Sequence, residues 1–204
     1  MTVRERFGPT GRGGPIFRWL GEPPAIDLAN TVMVVREDEV VDLLDSPQAL
    51  RDWLESEGSR FSAYSFDPGD LEEIREIRDA IRDLLTALAE EAKPPSRAIA
   101  RVNAVSAVAL IAPQLVVGPG GGLSRSDRTA EDHSLDWLLG SLARSAIDLL
   151  TGTPPGRLKI CRAPSCGMFF LGSRRWCCSA CGNRARAARH YHRHSQPPVS
   201  DSRR

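Results

Sequence analysis

Apolar residues recur every three or four positions along two segments of the N-terminal half, which is the spacing of one buried helix face. In the first segment, residues 45–58, Ser46 can cap a helix that begins at Pro47 and ends at Gly58. The second segment, residues 66–95, is longer and has prolines near both ends. The sequence therefore predicts a short amphipathic helix followed by a long one. Their apolar faces consist of Leu50, Trp53 and Leu54, and of Leu71, Ile74, Ile77, Ile81, Leu84, Leu85 and Leu88.

Further along the chain, residues 95–112 and 131–155 predict a third and a fourth helix. Between them, residues 113–125 contain two short extended pieces around a glycine-rich turn, which predicts a β-hairpin. That glycine run lacks the GK[ST] ending of a phosphate-binding loop. Residues 15–35 are apolar and β-branched, and the pattern there does not separate strand from helix. The predicted fold class is mainly α with small β elements (α+β).

A cysteine-rich segment follows this body. All five cysteines and three of the four histidines lie between residues 161 and 194. Structural zinc sites use four thiolate or imidazole ligands, delivered as two close pairs. A module of about 40 residues cannot bury an adequate core, so bound metal would supply folding energy. We therefore predict a Zn²⁺ site with one cysteine left over. Its candidate ligands are Cys161 and Cys166, then Cys181 with either Cys177 or Cys178, which spacing alone does not decide.

Three other readings of this segment are less favoured. A thiol redox motif usually opens a helix within a βαβ pattern, which does not surround these cysteines. A catalytic zinc keeps only three protein ligands and needs a nearby Glu or His as base, and no Glu follows residue 131. We therefore expect the protein not to be an enzyme. Free structural cysteines are the third alternative, but such cysteines would be scattered along the chain. A second metal site at His190, His192 and His194 is a separate hypothesis, and it is also less favoured.

The charge is divided unevenly along the chain. Residues 157–204 contain eleven Lys/Arg and one acid, a charge of +10, whereas the rest contains sixteen basic and twenty-five acidic residues, a charge of −9. No acid occurs between Lys159 and Ser200. Such asymmetry is typical of a polyanion-binding segment attached to a body with another role.

A helix capped by Ser179 and running over residues 180–194 would divide this segment into two faces. Its expected inward side chains are Cys181, Ala185, Ala188 and Tyr191. Its expected phosphate contacts are Arg186, Arg189 and Arg193, joined by Arg174 and Arg175 from the preceding turn. Asn183 and His190 are the candidates for reading bases. Arg184 falls on the Cys181 side, where bonding to the protein and contact with DNA are equally weighted.

The stretch CRAPSCGMFF...GSRRWCCSACGNRARAARHYHRH resembles the CGNR zinc finger. Upstream, AIDLANTV, DLLDSPQALRDWL and LEEIREIRDAIRDLL are similar to the ABATE domain, which is usually joined to that finger in bacterial proteins proposed to be stress-induced transcription regulators. The resemblance implies a helical N-terminal domain followed by a treble-clef-like zinc finger with four cysteine ligands. It also implies that Cys177 is the ligand and that Cys178 is the spare cysteine.

The expected organisation follows from these segments. It comprises a flexible N-terminus at 1–15, an ABATE-like domain at 16–152, a linker at 153–157, the finger at 158–195 and a disordered tail at 196–204. Because the prolines near residue 154 should be crossed by few contacts, we expect the body to fold without the finger.

The expected function is transcription regulation with duplex DNA as partner. The N-terminal domain is a candidate for a small-molecule site, and the protein is a candidate homodimer. Asp27 and Asn30 are its candidate ligand-binding residues, although structural capping is the favoured role for both. With no apolar run long enough to span a bilayer and no secretory signal, we expect a cytoplasmic protein without membrane contact. RNA or protein binding by the finger is the alternative.

Overall fold

The computed structural model describes residues 20–36, 39–61, 64, 67–108, 112–118, 120–128, 134–154 and 156–195. The expected flexible N-terminus and disordered tail lie outside these residues. Within them, six helices and three two-stranded antiparallel sheets confirm the mainly helical α+β class. The helices are α1 Pro24–Ala29, α2 Pro47–Ser56, α3 Asp70–Ala89, α4 Ser96–Val108, α5 Leu135–Gly152 and α6 Ser179–Ser195. The strands are β1 Val32–Arg36, β2 Glu39–Asp42, β3 Ala112–Val117, β4 Leu123–Arg128, β5 Leu158–Ile160 and β6 Phe169–Leu171.

The four helices predicted from periodicity are α2 to α5. Side-chain caps fix two of their N-termini, because the Ser46 hydroxyl accepts from the amide of Ala49 at 3.2 Å and the Ser134 hydroxyl accepts from the amide of Trp137 at 3.2 Å. The predicted hairpin is also present as β3 and β4. Leu115, Val117 and Leu123 on this hairpin are 71–73% exposed. In the described residues, no helix has the length and apolar character that crossing a membrane requires.

The apolar segment whose pattern was undecided contains both structure types. Its described part forms the short helix α1 and then most of β1, which pairs with β2 in a hairpin. Helix α1 is almost entirely inaccessible, with Ile26 and Leu28 both at 0% exposure. Arg82 of α3 donates from Nη1 to the carbonyls of Ala29 and Val32, which satisfies backbone acceptors where α1 ends. Complete burial removes the polar face that would have identified α1 as a helix.

The main core lies where α1, α2, α3, α4 and α5 meet. Three aromatic rings extend it, because Phe61 lies 5.9 Å from Trp53 and 5.9 Å from Trp137 between ring centroids. Its largest fully buried members are Trp53, Phe169, Ile26, Leu28, Leu44, Leu50, Ile74, Ile77, Ile81 and Leu85. This is the core of a helical domain with enough apolar area to support folding.

The C-terminal hairpin β5–β6 packs into the same core. Leu158 is 3% exposed and Phe169 is 2% exposed, and both belong to the main cluster. The guanidinium of Arg82 lies 5.5 Å from the centroid of the Phe169 ring. The expectation of few contacts across the linker is therefore wrong. Ile160 of β5 and Leu171 of β6 also pack against this cluster, so each strand gives two side chains to the helical body. A boundary drawn from prolines overlooked these contacts.

Candidate metal centre and basic helix

Four cysteines reach one point from four successive pieces of chain. Cys161 follows β5, and its amide donates to the carbonyl of Met168 at 2.9 Å, which closes the loop that carries Cys166. Gly167 in that loop has φ +140°, and a Cβ there would lie 3.0 Å from the Val34 side chain. Glycine is required at this position both by its backbone angle and by the approach of β1. The set of delivering elements is completed by the turn after β6, which carries Cys177, and by the first turn of α6, which carries Cys181.

The four sulfur atoms all lie within 4.8 Å of one another. The Sγ–Sγ distances are 3.7 Å for Cys166–Cys177, 3.4 Å for Cys177–Cys181 and 3.7 Å for Cys166–Cys181. Four thiolates around one zinc at about 2.3 Å lie about 3.8 Å apart at tetrahedral angles. Cys161, Cys166, Cys177 and Cys181 are each at most 4% exposed. The donor set and spacing therefore fit one tetrahedral metal ion.

Without a cation, this cluster restrains its own ionisation. The contact with the Cys161 sulfur comes first, with burial adding to it, and together they raise the pKa of the Cys166 thiol to about 12. The pKa of Cys177 is raised, first by its own contact with the Cys161 sulfur. The pKa of Cys161 is lowered, first by its contact with the Cys166 sulfur. The close sulfur contacts thus oppose the simultaneous ionisation of Cys166 and Cys177. A divalent cation changes this balance, because all four ligands can then bind as thiolates and release protons.

Cys178 does not join the sulfur cluster. It is half-buried, and its sulfur accepts from the amide of Cys181 at 3.4 Å, where α6 begins. Spacing alone leaves Cys177 and Cys178 as alternatives, whereas the structure places only the Cys177 sulfur beside those of Cys161 and Cys166.

The residues of the CGNR motif brace this centre. Arg184 donates to the Cys181 sulfur at 3.0 Å and to the carbonyl of Pro164 at 3.2 Å, so it ties the two cysteine-bearing halves together. A Cβ on Gly182 would lie 3.1 Å from the Trp176 ring, so glycine lets that ring pack against α6. The Asn183 carbonyl accepts from Arg186. Sequence reasoning missed the packing role of Trp176 and Gly182, although both stand next to cysteines.

The outer face of α6 is basic. One shallow surface concavity is lined by Arg186, Ala187, Arg189, His190 and Arg193. The arginines expected from the helical repeat thus share one face, without an acid anywhere in residues 160–199. Tyr191 was expected to face inward but is 71% exposed.

The two arginines before the second cysteine pair are placed differently from those on α6. Arg174 donates to the carboxylate of Glu22 at 2.7 Å, and its guanidinium lies 5.0 Å from the centroid of the Phe170 ring. Arg175 lies 5.1 Å from the centroid of the Trp176 ring. The phosphate contact expected of Arg174 therefore competes with an acid on the body. Glu22 carries no sequence signal for this pairing, because it lies far from the finger along the chain.

Comparison with family models matches both parts of the chain. Residues 22–153 match ABATE, described as "Putative stress-induced transcription regulator", and residues 157–194 match the CGNR zinc finger. The chain belongs to the ABATE family. Comparison with curated proteins gave no match. The two matched regions correspond to the helical body and to the cysteine centre with its basic helix.

Within the ABATE region, Asn30 joins the body to the finger. Its side-chain amide donates to the carbonyl of Phe169 at 3.0 Å, and its side-chain carbonyl accepts from the amide of Phe169 at 2.7 Å. Asn30 is 5% exposed, so it pairs with β6 as a neighbouring strand would. The polar residue expected to bind a ligand or to cap thus has both of its amide groups on the CGNR finger.

Asp27 of the ABATE region lies in a different buried environment. Its side chain is 2% exposed, and Nη1 of Arg60 lies 3.7 Å from Oδ2. The same Arg60 nitrogen lies 2.9 Å from the Glu57 carboxylate. Burial first, and the nearby Glu57 charge second, raise the pKa of Asp27 to about 7. Two buried carboxyl groups and one cation therefore share this site, and a proton on Asp27 removes the excess negative charge.

Proposed function

We propose that this protein is a zinc-dependent, DNA-binding transcription regulator that acts in the cytoplasm. The observation that carries the proposal is the basic face of α6, formed by Arg186, Arg189, His190 and Arg193 on one exposed side. A helix of this kind supplies positive charge in a row, as phosphate backbones require. The family description supports the regulatory role.

The zinc in this proposal is structural. Cys161, Cys166, Cys177 and Cys181 would hold the ion, and four thiolates would leave no position for a substrate or an activated water. The apolar cluster around them is small, and besides the cysteines its buried members are Ala163, Met168 and Phe170. The metal therefore supplies much of the free energy that holds α6 against β5 and β6. No catalytic step is assigned to this centre.

The contacts with DNA are mainly to phosphates. Arg186, Arg189 and Arg193 give three charged contacts on one face, and Arg175 gives a fourth from the turn before the helix. Arg184 positions the helix through the Cys181 sulfur and does not belong to the contact face. Asn183 and His190 are the base-reading candidates, because both are exposed beside the arginine row.

A salt titration of duplex DNA binding tests the proposal. With three to four phosphate contacts, log affinity should fall against log salt with a slope of about −3 to −4. Arg186→Ala/Arg189→Ala should flatten this slope by about two units. Arg51→Ala/Arg97→Ala removes equal charge from exposed positions on the body and is the matched control.

Two results would overturn the proposal. Equal slopes for the α6 double variant and wild type would mean that the arginine row is only solvated charge. Tighter binding of a structured RNA hairpin than of any duplex DNA at the same salt would favour the alternative of an RNA-binding finger.

A further inference from the structure

A concave apolar site lies between the C-terminal end of α3, the start of α4 and the end of α5. Its volume is about 710 Å³, within the range of about 300–1,000 Å³ that small-molecule sites occupy. The floor is formed by Leu84, Ala87 and Val102, which are at most 5% exposed. The walls are the half-buried side chains of Leu88, Ile147 and Leu150, with Ile99 on the rim.

The shape of this site favours a small molecule over a protein surface. Stable protein partners bury about 800 Å² on each side, usually over a broad surface. Here the lining residues come mainly from three helices and form a local hollow of about 710 Å³. The few polar groups lie at its edge, and the Thr151 hydroxyl already donates to the carbonyl of Ile147 at 2.7 Å. An occupant therefore needs an apolar body.

Glu91 gives the site a charge preference. Among the described residues that line the cavity, it is the only charged one. It has φ +53°, where α3 ends and the amide of Ala92 donates to the carbonyl of Ala87 at 2.8 Å. Helix ends of this kind usually have glycine at the positive-φ position. The chain instead has a glutamate there, and this exposed residue lines the apolar hollow.

We propose that this cavity binds a small apolar amine. The apolar part lies on Leu84, Ala87 and Val102, and the ammonium group meets the Glu91 carboxylate at the rim. The site also lies beside the finger, because Gly156 lines it and Glu90 forms an ion pair with Arg162 at 2.8 Å. The inference concerns the ABATE region alone and does not depend on DNA binding by α6.

Two naphthalene probes of one size test the proposal by calorimetry on the full, zinc-loaded chain. 1-Naphthylmethylamine is cationic at neutral pH, and 1-naphthalenemethanol is its neutral analogue. The amine should bind about three- to fivefold more tightly, the gain expected from a solvent-accessible ion pair. Glu91→Gln should reduce amine affinity to that of the alcohol and leave alcohol binding unchanged. Glu55→Gln removes an equal charge from the exposed face of α2 and should change neither.

Filling the cavity tests its location. Ala87→Trp should abolish binding of both probes, and Ala92→Trp, at an exposed rim position, provides a second block if the first variant fails to melt cooperatively. Leu115→Ser/Val117→Ser removes the exposed apolar residues of β3 and should leave binding intact. The proposed site is wrong if neither probe binds or if a folded cavity-filling variant binds both normally. The proposed ligand class is wrong if the alcohol binds as tightly as the amine.

Discussion

The two apolar clusters of this molecule are held together by different forces. The helical body buries large side chains such as Trp53, Ile77 and Leu85 from several helices. The finger cluster is composed mainly of cysteines, with Met168 and Phe170 as its large buried residues. Burial of apolar area can support the first, whereas the second needs metal–thiolate bonds. The core of the helical region can therefore rest on apolar burial, whereas the finger cluster is too small to do so without metal–thiolate bonds.

Removing the metal should have the largest effect of the changes considered, and it should unfold the finger rather than the helical body. Cys177→Ser removes one of the clustered sulfurs, and we expect the variant to lose its zinc and the helical circular dichroism of α6. Cys178→Ser is the matched control, since that sulfur lies outside the cluster and should leave one zinc per chain. Elemental analysis of the two purified variants measures the difference. Zinc retained by Cys177→Ser and lost by Cys178→Ser would reverse the ligand assignment.

Removing the whole finger tests how far the body stands alone. A chain ending at Gly156 loses Leu158 and Phe169 from the main core and leaves the Asn30 amide without its strand partner. Each apolar side chain contributes about 1.5–3 kcal/mol and each hydrogen bond about 1 kcal/mol. At about 2–4 °C for each kcal/mol, the melting temperature should fall on the order of 10 °C. An unchanged melting temperature would show that β5 and β6 only rest on the body.

Local patterns in the sequence were enough to predict the helices α2 to α5 and the cysteine pairs, because both depend on short-range spacing. The helices α2 to α5 have one apolar face each, and Ser46 caps α2 as expected. Contacts between distant segments were not predictable in this way. Asn30 meets Phe169 and Glu22 meets Arg174 through the fold, and nothing in the spacing of either residue indicates its partner.

The two regions differ in how their buried negative charges are balanced, and the titration of Asp27 tests this difference. In the finger a cation can neutralise the thiolates, whereas in the body Asp27 and Glu57 share Arg60. Because burial raises the pKa of Asp27 from 3.8 to about 7, the folded state binds this proton more tightly than the unfolded state. The stability that this tighter proton binding contributes to the folded state is fully present below about pH 4. It is lost as the pH rises through about 7.

The Asp27→Asn variant should remove this pH dependence. Its melting temperature should exceed that of wild type at pH 8, by about 2–4 °C for each kcal/mol recovered, and the difference should shrink as the pH falls toward 4. Thermal melts across this range measure it, with Glu55→Gln as an exposed control. If the wild type became more stable as the pH rose from 4 to 8, the predicted direction of the Asp27 effect would be wrong.

The ion pair between Glu22 and Arg174 gives the smallest expected effect and concerns the boundary between the two regions. Arg174 is 48% exposed, so its guanidinium can exchange the Glu22 carboxylate for a phosphate. Glu22→Gln removes the competing charge, and DNA affinity at low salt should then rise about two- to fivefold. The salt slope should steepen by about one unit, because one more phosphate is neutralised.

Glu72→Gln is the control, since it removes an equal charge from a pair with Arg75 within the body. If both variants raise affinity equally, long-range charge accounts for the effect. If only Glu22→Gln raises affinity, the ion pair with Glu22 on the body competes with DNA for Arg174 of the finger.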